Sequence, residues 1–218
     1  MNRAKGILLL SGGIDSPVAG HLMAQKGIEV IALHFSLEPF TDRAPEEKAL
    51  RIVDILGFPR LYICRIGDAL AEIARNCRHR FYFVLSKRLM YRLAETLALQ
   101  EGAASLITGE SLGQVSSQTL SNLRAIDASV EVSVVRPLIG WDKVDIMETA
   151  RRIGTYDISK GPEVCDVLGP SHPTTQARLE VVEAEESKLR YGDLLSSSLE
   201  TLRMVEPHES EAATSGEA

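Results

Sequence analysis

Near the N-terminus, Gly6-Ile7-Leu8-Leu9-Leu10 is an uninterrupted apolar run that stops at Ser11-Gly12-Gly13. Apolarity without alternation over so short a length marks a strand buried on both faces, as in a parallel sheet. Pro17 to Lys26 carries apolar residues at helical spacing, with Ser16 placed as an N-cap, Pro17 at the first helical position and Gly27 just past the end. The same alternation continues with a strand at Ile28–Phe35, a helix at Pro45–Leu56 closed by Gly57, a strand at Leu61–Ile66 and a helix from Asp68 onward. A long periodic segment, Tyr82–Gln100, feeds the strand Ala104–Thr108, after which Gly109 opens a loop. Glu131–Val135 reads as a further strand, Asp142–Ile153 as a helix ended by Gly154, and Thr175–Arg190 as another helix. Strands alternating with helices predict an α/β fold, doubly wound, with a mostly parallel sheet covered by helices on both faces.

Between the last two helices, residues 157–173 hold three Pro and two Gly, which predicts a long functional loop. Beyond about Glu206 the chain lacks large apolar residues, so 206–218 is expected to be a disordered tail. The resulting organisation is one domain over 1–190, an extension over 191–205 and the tail. A length of 218 residues with 44% hydrophobic content suits one substantial core. No run approaches the roughly 18 apolar residues of a membrane helix, which gives the expectation of a cytoplasmic protein without a membrane partner. Three cysteines, Cys64, Cys77 and Cys165, are too few and odd in number for a disulfide framework. The net charge of −6 gives no general attraction for RNA, although basic residues gather at Arg75–Arg80, Lys87–Arg92 and Arg151-Arg152.

Chemistry concentrates first in Ser11-Gly12-Gly13-Ile14-Asp15-Ser16, set between a buried strand and a helix N-terminus. Glycines let the backbone approach an anion, successive N–H groups converge on it and the helix end adds positive partial charge. Phosphate is the natural ligand. A Walker loop would carry Gly-Lys followed by Ser or Thr, and no Lys stands in this loop, so γ-phosphoryl transfer is disfavoured. The segment resembles the PP-loop of ATP-pyrophosphatases, which cleave ATP between the α and β phosphates and activate a substrate oxygen as an adenylate. That resemblance implies that Ser11, Gly12, Gly13, Asp15 and Ser16 hold pyrophosphate, that Asp15 helps to organise Mg²⁺, and that Leu9, Leu10, His34 and Phe35 line the adenine pocket.

A second segment, Thr108-Gly109-Glu110-Ser111-Leu112-Gly113-Gln114-Val115-Ser116-Ser117-Gln118-Thr119-Leu120-Ser121-Asn122-Leu123, closely resembles the signature of the ThiI-type 4-thiouridine synthetases. By that likeness Gly109, Gln118 and Lys87 contact the nucleotide, and Lys143, in Pro137-Leu138-Ile139-Gly140-Trp141-Asp142-Lys143, stabilises charge on the α-phosphate. Gly161-Pro162-Glu163-Val164-Cys165-Asp166-Val167 resembles the family loop with its essential cysteine, which makes Cys165 the expected sulfur carrier. Cys64, alternating within an apolar strand, reads as a core residue, and Cys77 is open.

The likeness covers residues 4 to 190 and corresponds to the family's catalytic domain alone. The THUMP and rhodanese regions of longer members fall outside it. Members without rhodanese carry Cys-x-x-Cys ahead of the aligned Lys and use it to hold an iron–sulfur cluster. Phe83 and Ser86 occupy those positions here, so such a cluster is not expected. The implied activity is ATP-dependent adenylation of uridine O4 in tRNA followed by sulfur insertion, releasing AMP and pyrophosphate. A sulfur donor protein or sulfide would supply the atom, and a separate RNA-binding chain or a homodimer would supply the missing docking surface. The same chemistry on a small molecule, and a non-enzymatic nucleotide-binding subunit, are the alternatives.

Overall fold

The computed structural model describes residues 3–113, 118–160 and 168–207. The apolar runs become strands β1 (Lys5–Leu9), β2 (Glu29–Ser36), β3 (Leu61–Arg65), β4 (Ser105–Ile107) and β5 (Ser133–Val135). All five pair in parallel, and a sixth strand, β6 (Arg203–Val205), joins antiparallel to β3. The sheet order is β5-β4-β1-β2-β3-β6. The chain therefore winds outward from β1 through β2 to β3, then crosses back to β4 and β5. That reversal places a crevice beside the carboxyl end of β1, where open α/β sheets bind ligands.

Side chains alternate across the sheet with period two. Ile7, Leu9, Ile31 and Leu33 face α3 (Gly67–Asn76), α4 (Tyr82–Glu101) and α5 (Leu120–Asp127), whereas Leu8, Leu10, Val30 and Ala32 face α1 (Asp15–Gln25), α2 (Ala44–Leu56) and α6 (Lys143–Arg152). Two apolar layers result, one on each side. On the α4 side, buried Arg88 donates from Nε (2.7 Å) and Nη2 (2.8 Å) to the two Glu186 oxygens, tying α4 to α8 (Leu179–Glu186). A fork of two parallel bonds suits a guanidinium and a carboxylate, and it lets both charges be buried.

Several local expectations shift. Helix α1 begins at Asp15, with Ile14 at its N-cap position and no side-chain cap, so Pro17 is the third helical residue. Ser16 is not a cap because its hydroxyl is engaged by the preceding loop. The helix expected over 175–190 narrows to α8, since the Asn122 side chain bridges the preceding bend, donating to the Thr174 carbonyl (2.8 Å) and accepting from Ala177 N–H (2.9 Å). A short helix, α7 (Tyr156–Ser159), stands at the start of the expected loop, and α5 occupies the end of the signature segment, capped by the Thr119 hydroxyl. Residues 191–205, set apart above as an extension, fold onto the sheet as α9 (Tyr191–Leu199) and β6.

Candidate active site

At the carboxyl end of β1 the chain turns through Ser11, Gly12 and Gly13 into α1. The Ser16 hydroxyl accepts the Ser11 N–H at 3.1 Å and lies 3.2 Å from the Ser11 hydroxyl, while the Ser11 hydroxyl accepts Gly13 N–H at 3.3 Å. Gly12 has φ +79°, a conformation natural to glycine, so the loop can curl over the helix end. The two serines thus fix the loop from within and leave the N-terminus of α1 facing the crevice.

Parts distant in sequence close on this loop. Gly109, just past β4, lies so near the α1 backbone that a Cβ there would stand 2.5 Å from Ser16 N. Lys143, at the first residue of α6, donates from Nζ to Asp15 Oδ1 at 2.6 Å. Lys48 of α2 runs its aliphatic chain 3.5 Å from where a Cβ on Gly12 would be, and its Nζ donates to the Ser159 carbonyl at 3.1 Å. The loop without a lysine of its own therefore has two ammonium-bearing side chains brought to it, of which Lys48 escaped the sequence reading because one Lys on an amphipathic helix has no distinguishing spacing.

Lys87 leads to a buried carboxylate, Glu110, to which the sequence alone assigns no role. Glu110 is 3% exposed and accepts from Tyr91 Oη (2.8 Å), Thr108 Oγ1 (3.0 Å) and Arg136 Nε (2.8 Å), with Lys87 Nζ 3.5 Å away. Burial pushes its carboxyl upward, but the charges of Lys87 and Arg136 and the hydrogen bonds of Tyr91 and Arg136 outweigh that and hold it below the usual carboxylate range. Arg136 also forks onto Asp127 at the end of α5. The only signal for this hub was its place in the signature, directly after Gly109.

Beside the loop lies an apolar slot of about 110 Å³ between the ends of β1 and β2 and helices α3 and α4. Leu9, Leu10, Ser11, Phe35 and Lys87 line it, together with Phe83 and Ser86. His34 does not. Period-two alternation puts it on the opposite face of β2 from Phe35, where its buried ring bonds through Nδ1 to the Leu10 carbonyl at 2.9 Å. A carbonyl only accepts, so Nδ1 carries the proton. Burial lowers the pKa of His34 against the opposing Leu10 bond and the Glu46 charge, so the ring stays neutral. Its part is to hold the strand end from which the loop departs.

Gln118 closes the neck of its loop, its side-chain oxygen accepting Ser111 N–H and its carbonyl accepting Gly113 N–H, each at 3.3 Å. Cys165 lies outside the described residues. Cys64 and Cys77 are buried, and burial pushes each thiol up to about 11, so neither is poised as a thiolate. Among the described residues no three His, Cys, Asp or Glu side chains converge as a metal site, and no helix is long and apolar enough to cross a membrane.

Comparison with known proteins adds an independent finding. The family described as "ThiI: Thiamine biosynthesis protein (ThiI)" matches residues 2–191. A probable tRNA sulfurtransferase of Moorella thermoacetica is 44% identical over 211 residues, covering 93% of this chain and 54% of the relative. One from Thermus thermophilus is 44% identical over 199 residues, covering 88% of this chain and 49% of the relative. The chain thus spans about half the length of the curated relatives it matches. Among solved structures, a 4-thiouridine synthetase in complex with RNA and ATP superposes with a TM-score of 0.88 at 34% identity, over 93% of this chain and 55% of that one. NMN synthetase from Francisella tularensis, with a TM-score of 0.52 at 16% identity over 91% of this chain and 84% of that one, shares the fold alone. A family match running from the first strand into α9, with relatives well above 30% identity, leaves one assignment: the chain belongs to the ThiI family.

Proposed function

We propose that this chain is an adenylating sulfurtransferase unit that binds ATP at the Ser11–Ser16 loop and activates uridine O4 in tRNA for replacement by sulfur. The observation that carries it is the Lys143–Asp15 pair at 2.6 Å on the N-terminal residue of α1, with Gly109 packed against the same turn. In this reading the base lies in the slot lined by Leu9, Phe35 and Lys87, and the β and γ phosphates meet the loop N–H groups and the end of α1. O4 attacks the α-phosphorus and pyrophosphate leaves. The outer sulfur of a persulfide on Cys165, charged by a persulfide-bearing donor, then attacks C4 and expels AMP with that oxygen. A second thiol breaks the resulting S–S bond to Cys165, releasing 4-thiouridine and leaving a disulfide. Lys143 turns from Asp15 toward charge developing on the α-phosphate, and Lys48 stands at the Gly12 end of the loop. Asp15 would hold a Mg²⁺ ion, which is bound through one or two carboxylates together with substrate phosphates. When bound, the ion would neutralise the pyrophosphate as it leaves.

Support comes from the family assignment and from the 4-thiouridine synthetase whose solved complex holds RNA and ATP. A net charge of −6 favours a docking surface outside the described residues, supplied by further sequence, a partner chain or a second copy. The test is product analysis with tRNA, ATP, a persulfide-bearing donor protein and a thiol reductant. AMP, pyrophosphate and 4-thiouridine are expected in equal amounts, and ADP with phosphate as the main products would overturn the proposal.

A further inference from the structure

Among the polar groups lining the slot beside the loop is the Ser86 hydroxyl. Ser86 is 5% exposed on α4, and its Oγ is buried with no hydrogen-bond partner among the described residues. A serine within a helix can turn its hydroxyl back to the carbonyl one turn earlier, and Ser86 makes no such bond. It lines the slot with Leu9, Phe35, Leu70, Tyr82, Phe83 and Met90, so the hydroxyl is set among largely apolar and aromatic surfaces, with Ser11 and Lys87 at the slot's polar side. An unmet hydroxyl in such surroundings carries a desolvation penalty that a ligand with a matching polar group would remove. That ligand must be apolar on its faces and polar at an edge, as a purine base is. Ser11, which opens the phosphate loop, lines the same slot, so a base seated there is continuous with phosphates at α1.

We infer that the Ser86 hydroxyl hydrogen-bonds the polar edge of the ATP base and is a specificity-determining contact for adenine. The inference rests on the nucleotide site proposed above and adds a residue to it. It also gives the position a use unrelated to cysteine-held clusters, since a hydroxyl that serves the base occupies the place of a thiolate.

The experiment compares the full chain with its Ser86→Ala variant in two measurements. Without nucleotide, the variant should melt at or above the parent temperature, because alanine favours a helix and the lost hydroxyl had no protein partner. With ATP, calorimetric affinity should fall roughly 3- to 10-fold and the ATP-induced rise in melting temperature should shrink with it. Triphosphates of analogues lacking the exocyclic amine, N1 or N7 in turn identify the edge. One of them should lose a similar factor in the parent chain and nothing further in the variant. Unchanged ATP affinity in S86A, penalties that simply add for every analogue, or a variant that melts several degrees lower would each overturn the inference while leaving ATP binding in place. A parent chain that binds no ATP at all would instead overturn the nucleotide site, and this contact with it.

Discussion

Gly109→Ala tests the closure of the crevice with a single methyl group. The backbone at Gly109 needs no left-handed conformation, so the effect is steric. The added Cβ would meet Ser16 N at 2.5 Å and the Asp15 carbonyl carbon at 2.7 Å, and ordinary contact begins at 3.4 Å, so the β4 loop and α1 must separate by about 0.9 Å. Neither neighbour is the free end of a side chain that could swing aside. Overpacking of this kind costs about 1–3 kcal/mol, equivalent in a chain of this size to a fall of about 2–12 °C in Tm. The catalytic loss should be larger in proportion, because displacing a site by about 1 Å can cost about 10²-fold. The assay is pyrophosphate release with saturating tRNA, read beside a thermal melt. Gly140→Ala is the matched control, since a Cβ there meets nothing within 4 Å. Full activity in G109A, or an equal loss in G140A, would refute the close approach as the reason for glycine.

Lys143→Ala should lower kcat by about 10²–10³-fold through loss of charge stabilisation, while its half-exposed pair with Asp15 contributes at most about 1 kcal/mol to folding; a variant that loses fold and activity together would contradict the assignment. Glu110 and Glu186 both have carboxyls held below the ordinary value of 4.5, so their stabilisation is complete above that pH and disappears as pH falls through their depressed folded-state values. Acid titration of stability should therefore show a steep limb below 4.5 that flattens in Glu186→Gln, which also costs about 3–5 kcal/mol at neutral pH by leaving Arg88 without its charge partner. Iodoacetamide at pH 8 should leave Cys64 and Cys77 unlabelled in folded protein, and rapid labelling of either, read by peptide mass spectrometry, would show that burial does not suppress its thiolate.

Strands β1 to β3 and helices α2 and α4 were readable because each has a continuous apolar run or a full helical period, and local pattern and tertiary burial agree there. Strand β6 was not, because Arg203-Met204-Val205 has no period of its own and is a strand only through pairing with β3. Helix α5 hid in a polar segment whose start depends on the Thr119 cap and on Asn122 reaching to residues 174–177. The Ser11–Ser16 turn was legible as a strand-to-helix loop from its glycines and its position after β1. Its partners were not derivable from spacing, since Lys143 meets Asp15 across 128 positions and only the family likeness pointed to it. His34 shows the reverse case, in which simple strand alternation separates it from Phe35 once the face of the sheet is known.

The antiparallel strand β6 also bears on where this unit can be cut. The family match ends at residue 191, yet Val205, Met204 and Arg203 pair with Leu61, Tyr62 and Ile63, and Arg203 reaches Glu46 on α2. An uncovered β3 would present a row of free amides and carbonyls to any extended backbone it met. A chain shortened at the family boundary would keep every loop of the crevice and gain an adhesive margin on the far side of the sheet. Self-association is the behaviour such a truncation inherits, because it loses β6 together with α9, whose Leu194, Leu195 and Leu199 pack against the core beneath α4.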